Sequence, residues 1–410
     1  MRRFLVYLSI AIFAALPAIW FRLSGQALAP IAGAIVFGTA ILAAGFMLSW
    51  GAEAAEERVS QGLMIAGLAL VTVLPEYAVD IYLAFRAGQM PGSDYAHYAA
   101  ANMTGANRLL VGFGWSLVVI LHWAYSRSRS VPLRESNKVE LFFLAAATAY
   151  GFVIVWKDSI GLIDFVVLLA IFGGYIWRVA SDAAAASGDA DNDDDDEDEF
   201  EPGPAAALET LSTRAQWIWT AVLSIMAGAI IVVSAEPFAE SILGSASQLG
   251  VDRFLLIQWV APLTGETPEL ILAVLFVLAS KPGTALIALI SDKINQWTLL
   301  VGALPIAMSL GAGRLMSLPL SARQHEEFFL TAAQSAFALS LLLQRRLTLL
   351  GAALLAGLFT LQVLLAFLLQ GNSSREIATL TTLAWIYIAF ALIVVISAGL
   401  QRRAPNLEIG

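Results

Sequence analysis

Apolar residues run in blocks of about 17 to 30 from one end of the chain to the other, the length a helix needs to cross a bilayer. Short polar or Pro/Gly-rich joints break the blocks. They begin near Phe4, Ala29, Gln61, Tyr95, Val139, Ile160, Gln216, Val251, Thr284, Glu326, Thr348 and Ile377, and they predict about twelve transmembrane helices. The expected fold is therefore an all-α polytopic membrane protein. Arg2-Arg3 ahead of the run from Phe4 to Trp20 has the outline of a secretory leader. That run fills a full span with no clear small-x-small cleavage site after it, so it reads as a helix.

Composition agrees. Of 410 residues, 59% are hydrophobic and only 13% charged, and the mean hydropathy is +0.76. A soluble domain wets its surface with roughly 25% charged residues. The formal charge of −9 misleads, because ten of the acidic residues lie between Asp189 and Glu201; without them the chain carries about +1. The stretch around that tract is Ala/Ser/Gly-rich and closes with Pro202-Gly203-Pro204. It has too little apolar surface to fold and is expected to be a disordered cytoplasmic linker. There are no cysteines, which excludes disulfides and thiolate chemistry.

With the N-terminus inside, the cytoplasmic side receives fourteen Lys and Arg, including Arg2, Arg127, Arg129, Arg178, Arg345 and Arg402, and the opposite side seven, including Arg22, Lys157 and Arg314. This asymmetry predicts cytoplasmic termini and a home in a cell (inner) membrane. The lipid bilayer and inorganic cations are the expected partners. Nothing suggests nucleic acid, and the oligomeric state is not legible.

Two segments flanking the acidic tract resemble each other. The first reads Thr72-Val73-Leu74-Pro75-Glu76, then Asn102-Met103-Thr104-Gly105-Ala106-Asn107, then a glycine at Gly114. The second reads Gly265-Glu266-Thr267-Pro268-Glu269, then Ser291-Asp292-Lys293-Ile294-Asn295, then Gly302. Each has Pro-Glu inside one apolar helix and an Asn seven residues before a Gly in the next. The Pro-Glu helices are the third and the eighth, so an odd number of crossings inverts one repeat relative to the other. Inverted repeats set broken helices at the bilayer midplane, where substrate and coupling ions bind. Each proline removes a backbone donor and frees a carbonyl that can face a cation. A carboxylate at that depth costs from roughly 2.5 to 3.5 kcal/mol upward and is kept only with a partner. Glu76 and Glu269 are thus the expected cation-binding, metal-ligating pair. Carboxylate, carbonyl, amide and hydroxyl oxygens form a hard-ligand set suited to Na⁺ or Ca²⁺, and His97, His122 and His325 lie outside the motifs.

These residues resemble the cation/Ca²⁺ exchanger superfamily, which includes the sodium/calcium exchangers and carries a Pro-Glu followed by a Gly-Ser-Asn-type stretch in each of two repeats. The resemblance implies a five-plus-five inverted-repeat core with one extra helix at each end: residues 1–28 an added helix, 29–180 the first repeat, 181–212 the acidic linker, 213–371 the second repeat and 372–410 a last helix and tail. It implies Asn102, Asn107 and Asn295 as further ligands, with Thr72, Thr104, Thr267 and Ser291 as hydroxyl candidates.

The chain departs from the pattern at Val73 and Ala106, where serine is usual, and by added charge at Asp80, Arg108, Glu266, Asp292 and Lys293. Asp80, one turn after Glu76, reads as a second carboxylate ligand or as the partner of Arg108. Glu266 shares the face of Glu269, and Asp292 and Lys293 read as charges paired between helices. Fixed cations near the site point to fewer bound cations per cycle than in a sodium/calcium exchanger.

The expected function is a secondary-active cation antiporter working by alternating access, exchanging Ca²⁺ for Na⁺ or H⁺, with no cofactor. A Na⁺/H⁺ antiporter that does not carry Ca²⁺ is the alternative. A cation channel would need pore-lining rings or subunit symmetry. No catalytic residues are expected, since no water-accessible catalytic constellation is legible, and no phosphate-cradling loop supports an ATP-driven pump.

Overall fold

The computed structural model describes residues 1–55, 74–188, 206–209 and 211–403. Thr72 and most of the acidic linker lie outside the described residues. Twelve long helices occupy the positions of the twelve apolar blocks: α1 Arg2–Ser24, α2 Pro30–Ala55, α3 Leu74–Gln89, α4 Tyr95–Ser126, α5 Lys138–Lys157, α6 Leu162–Gly188, α7 Thr213–Leu249, α8 Arg253–Leu278, α9 Pro282–Ala312, α10 Ala322–Leu341, α11 Leu349–Leu369 and α12 Ser373–Arg403. Among the described residues, ten of these helices are long and apolar enough to span a bilayer. α10 is not among them because His325, Glu326, Glu327, Gln324 and Gln334 raise its polarity. Helix α6 continues to Gly188, past the point where the sequence turns Ala- and Ser-rich.

Helices α4 and α9 are each interrupted by a widened π-type stretch, Leu110–Trp115 in α4 and Gln296–Leu300 in α9. Each follows closely on the motif asparagine, Asn107 or Asn295. Such insertions re-aim side chains inside an otherwise regular helix. Their recurrence at matching points extends the internal repeat from sequence into backbone geometry.

Four short strands fix the order of crossings. β1 Ser130–Pro132, in the α4–α5 connection, pairs antiparallel with β4 Arg346–Thr348, in the α10–α11 connection. β2 Ser159–Ile160, between α5 and α6, pairs with β3 Leu318–Pro319, between α9 and α10. If each helix crosses once, connections after even-numbered helices share one side and those after odd-numbered helices the other. The first strand pair joins connections after α4 and α10, the second those after α5 and α9. Both obey that alternation.

The chain folds into two compact units, the first built from Met1–Asn102, Phe172–Pro268 and Ile306–Met316, the second from Met103–Ile171, Glu269–Pro305 and Ser317–Gly410. In the first unit, α2 lies along α7 through small residues: a Cβ on Gly38 would meet the Phe238 ring at 2.8 Å, and one on Gly33 would strike Ser241. Without water to drive helices together, such small-residue seams supply the contact that holds them. Phe4 of α1 stands edge-on to Trp50 and Trp219, at 6.2 and 5.6 Å between centroids. Helix α3 closes on the end of α9, where Gly88 abuts the Met308 carbonyl and Gly311 the Phe85 carbonyl.

In the second unit, α10 packs against α5 and α12, and α11 against α4. Phe359 of α11 fills the space over Gly112 in the π-type stretch, and Ser116 donates to the Ala352 carbonyl at 2.9 Å. Gly151 of α5 makes room for the Trp297 ring, 2.8 Å from where its Cβ would stand. Exposed tryptophans at helix ends, Trp20 and Trp156, suit the headgroup level.

Candidate cation-binding site

In the first unit the prolines of the two Pro-Glu motifs meet. A Cβ on Gly45 of α2 would lie 2.7 Å from Cγ of Pro268 and 3.7 Å from Cγ of Pro75, so one glycine receives both motif prolines. The contact extends along the chain. A Cβ on Gly265 would stand 3.0 Å from Cγ of Glu76, which places α8 against the first motif glutamate at the residue before Glu266. Glu76 and Glu266 are both buried. Pro268 has no N–H to offer the Thr264 carbonyl one turn back, so the helix carries an open acceptor beside its own motif. Glu269 follows Pro268 directly in the chain and is half-buried.

Asp80 stands one turn after Glu76 and is fully buried. Its Oδ1 accepts from Nδ2 of Asn102 at 2.9 Å. Asp80 Oδ2 and Asn102 Oδ1 make no hydrogen bond among the described residues. In hydrocarbon surroundings an acceptor of this kind is expensive to leave unmet, and two of them on adjoining side chains are ready to take a cation or a proton.

The second unit positions the remaining motif residues. Leu270, the residue after Glu269, packs on Gly114 of α4, with 3.0 Å from its Cδ2 to the position of a Cβ. Asn107 is fully buried; its amide nitrogen donates to the Met103 carbonyl at 2.9 Å, and its Oδ1 accepts from Nζ of Lys293 at 2.7 Å. Lys293 is itself fully buried and lies over the Trp297 ring, 4.7 Å from its centroid. Arg108 forms an ion pair with Glu327 of α10, both essentially without exposure, and its carbonyl accepts from Gln334 at 3.4 Å.

The sequence candidates therefore separate. Glu76, Glu266, Asp80 and Asn102 gather in the first unit. Asn107, Thr104, Lys293 and Asn295 are buried in the second, and Asp292 is half-buried there. Two hydroxyl candidates turn toward their own helices: Thr267 donates to the Leu263 carbonyl, and Ser291 to that of Ile287 at 3.0 Å. Arg108 forms its ion pair with Glu327. Sequence reasoning missed Glu327, whose only signal was a carboxylate inside an apolar helix. It also missed Gly45, which no motif marks. Among the described residues no group of three or more His, Cys, Asp or Glu is placed to hold a metal ion.

A further acidic cluster in the first unit faces tyrosines. Glu240 of α7 accepts from both Tyr82 at 2.7 Å and Tyr95 at 2.5 Å, and Glu236 pairs with Arg22 at 2.5 Å.

The model of the family described as sodium/calcium exchanger protein matches residues 29–180 and 219–368. The chain belongs to that family. Among solved structures, the family member is similar to an H⁺/Ca²⁺ exchanger, CAX, at 38% identity over 95% of this chain and 93% of that one, with a TM-score of 0.85. It shares its fold with native YfkE (13% identity, 89% of this chain and 99% of that one, TM-score 0.61) and with the sodium-calcium exchanger NCX_Mj (18%, 82% and 99%, TM-score 0.52). A comparison with curated protein sequences gives no match.

Proposed function

We propose that this family member is a secondary antiporter that exchanges Ca²⁺ for a monovalent cation, H⁺ in the first place, with Glu76 and Glu269 as the carboxylates that carry the ion. The observation that carries this reading is the meeting of Pro75 and Pro268 on Gly45. Two helices that each carry Pro-Glu, with their prolines brought together at one glycine, would offer what a transported cation needs: charge from carboxylates and carbonyls left without a donor by the prolines. The likeness to an H⁺/Ca²⁺ exchanger supports Ca²⁺ and H⁺ as the ions.

Coupling follows from competition. Carboxylates that hold either Ca²⁺ or protons, but not both, oblige the two flows to run in opposite directions if the loaded forms alone change their side of access. Asp80 and Asn102 belong to the same polar cluster as Glu76 and add an acceptor oxygen each. The excess of Lys and Arg on one set of connections supports a cell-membrane protein with both termini cytoplasmic.

The test is ⁴⁵Ca²⁺ transport by purified protein in liposomes, with Ca²⁺, Na⁺ and pH gradients imposed one at a time. Ca²⁺ uptake driven by a pH gradient is expected, abolished in Glu76→Gln and in Glu269→Gln. Unaltered transport in both variants overturns the site. Na⁺ and H⁺ fluxes without any Ca²⁺ movement establish the Na⁺/H⁺ antiporter instead.

A further inference from the structure

Lys293 is a motif-borne charge that the antiport reading leaves unused. It lies fully buried on α9, two residues before Asn295, and its ammonium donates to Asn107 twice over, to Oδ1 at 2.7 Å and to the backbone carbonyl at 3.4 Å. The face of Trp297, one turn further on, closes another side of the ammonium at 4.7 Å. Amide and carbonyl oxygens at such distances, beside an aromatic face, are what a desolvated monovalent cation accepts in place of water. The ammonium supplies that charge, yet it is tied to the backbone and cannot be carried across.

We infer that Lys293 is a tethered cation that occupies the Asn107 amide oxygen and excludes Na⁺ from it, so that Na⁺ neither drives Ca²⁺ movement nor competes with it. This rests on the antiport reading and names the ion it rejects. A proton needs only a carboxylate oxygen, whereas Na⁺ needs several neutral oxygens around it. Withdrawing one of them and placing a like charge beside it therefore penalises Na⁺ without touching proton carriage. Ca²⁺, with twice the charge, is repelled by the ammonium more strongly still and must be held by carboxylate oxygens rather than by the Asn107 amide.

Lys293→Met, which keeps the volume and removes the charge, tests the assignment. In wild type, opposed Na⁺ gradients are expected to leave ⁴⁵Ca²⁺ uptake unchanged, and ²²Na⁺ to show no saturable binding to the purified protein. In Lys293→Met, Na⁺ is expected to bind and to suppress Ca²⁺ uptake by about tenfold or more, the scale on which relief of like-charge juxtaposition acts. Lys293→Gln is the second variant, since it keeps a donor toward Asn107 without the charge. Na⁺-driven Ca²⁺ uptake in wild type overturns the inference and leaves antiport standing, as does a variant whose response to Na⁺ matches wild type. Absence of Ca²⁺ transport in wild type under every gradient overturns the Ca²⁺-exchange reading, and ²²Na⁺ binding then still decides the role of Lys293.

Discussion

Asn102 donates its amide to the carboxylate of Asp80 at 2.9 Å, joining α4 to α3 where both side chains are buried. Asp80→Ala leaves that amide without its acceptor, and a buried donor stranded in this way costs about 1–3 kcal/mol. A lower melting temperature in detergent is expected. Asp80→Asn keeps the shape and an acceptor, so its melting temperature should stay near wild type while Ca²⁺ transport falls. Equal transport by Asp80→Asn and wild type removes Asp80 from the ion path.

Gly45 has no room for a side chain, with Pro268 2.7 Å from the position of a Cβ. Gly45→Ala is expected to destabilise by about 1–3 kcal/mol, as overpacking of a close-fitted interior does. Gly228 is the control. A Cβ there meets nothing within 4 Å, and Gly228→Ala should be neutral or stabilising by roughly 0.5–1 kcal/mol in mid-helix. Thermal unfolding of the two variants side by side checks the contrast.

The ion pair of Arg108 and Glu327 is buried on both sides. Glu327→Leu takes away the pairing carboxylate, and breaking a buried pair from one side costs about 3–5 kcal/mol. The double variant Arg108→Met with Glu327→Leu is expected to recover most of that loss, because an apolar pair of similar volume is often neutral. A melting temperature for the double variant no higher than for Glu327→Leu contradicts this account.

Glu240 accepts from Tyr82 and Tyr95 together. Tyr82→Phe and Tyr95→Phe each remove one neutral donor to a carboxylate, a loss of about 1.5–3 kcal/mol for a bond to a charged group. The double variant should lose more than the sum of the two single losses, since in each single variant the remaining hydroxyl still serves Glu240. Additive losses in a double-mutant cycle would show that the tyrosines act independently.

The strand pairs give an orientation test. The chain has no cysteine, so single cysteines report without background. Ser128→Cys and Gln344→Cys, beside the β1–β4 pair, are expected to label from the cytoplasmic side with an impermeant thiol reagent. Ser159→Cys and Ser317→Cys, at the β2–β3 pair, should label from the other. Labelling of Ser128 and Gln344 from opposite sides would break the twelve-crossing order.

The number and position of the helices were legible because a bilayer demands about 20 apolar residues per crossing, and that requirement leaves its mark along the chain. The Pro-Glu pair was legible for a related reason: proline and a charge are both costly inside a span, so their coincidence at Pro75-Glu76 and again at Pro268-Glu269 stands out against the apolar background. Partner choice was not legible. Arg108 and Glu327, or Asn107 and Lys293, are roughly two hundred residues apart, and no periodicity on one helix tells which side chain of another will face it. The bond of Lys293 to Asn107 therefore appeared only with the fold, as did Gly45, a residue whose role lies in having no side chain. The π-type stretches were hidden too, because one residue added to a turn does not disturb an apolar run.

The first-repeat helix α3 closes on the end of α9, and the second-repeat helix α8 leans on α4 through Leu270 and Gly114. Each half of the chain thus seats its motif helix against the other half. A gene cut at the acidic tract would encode not two small carriers but one carrier in two pieces. Substitutions at Gly88, Gly114 or Gly311 are thus answerable to residues that the other half of the sequence supplies.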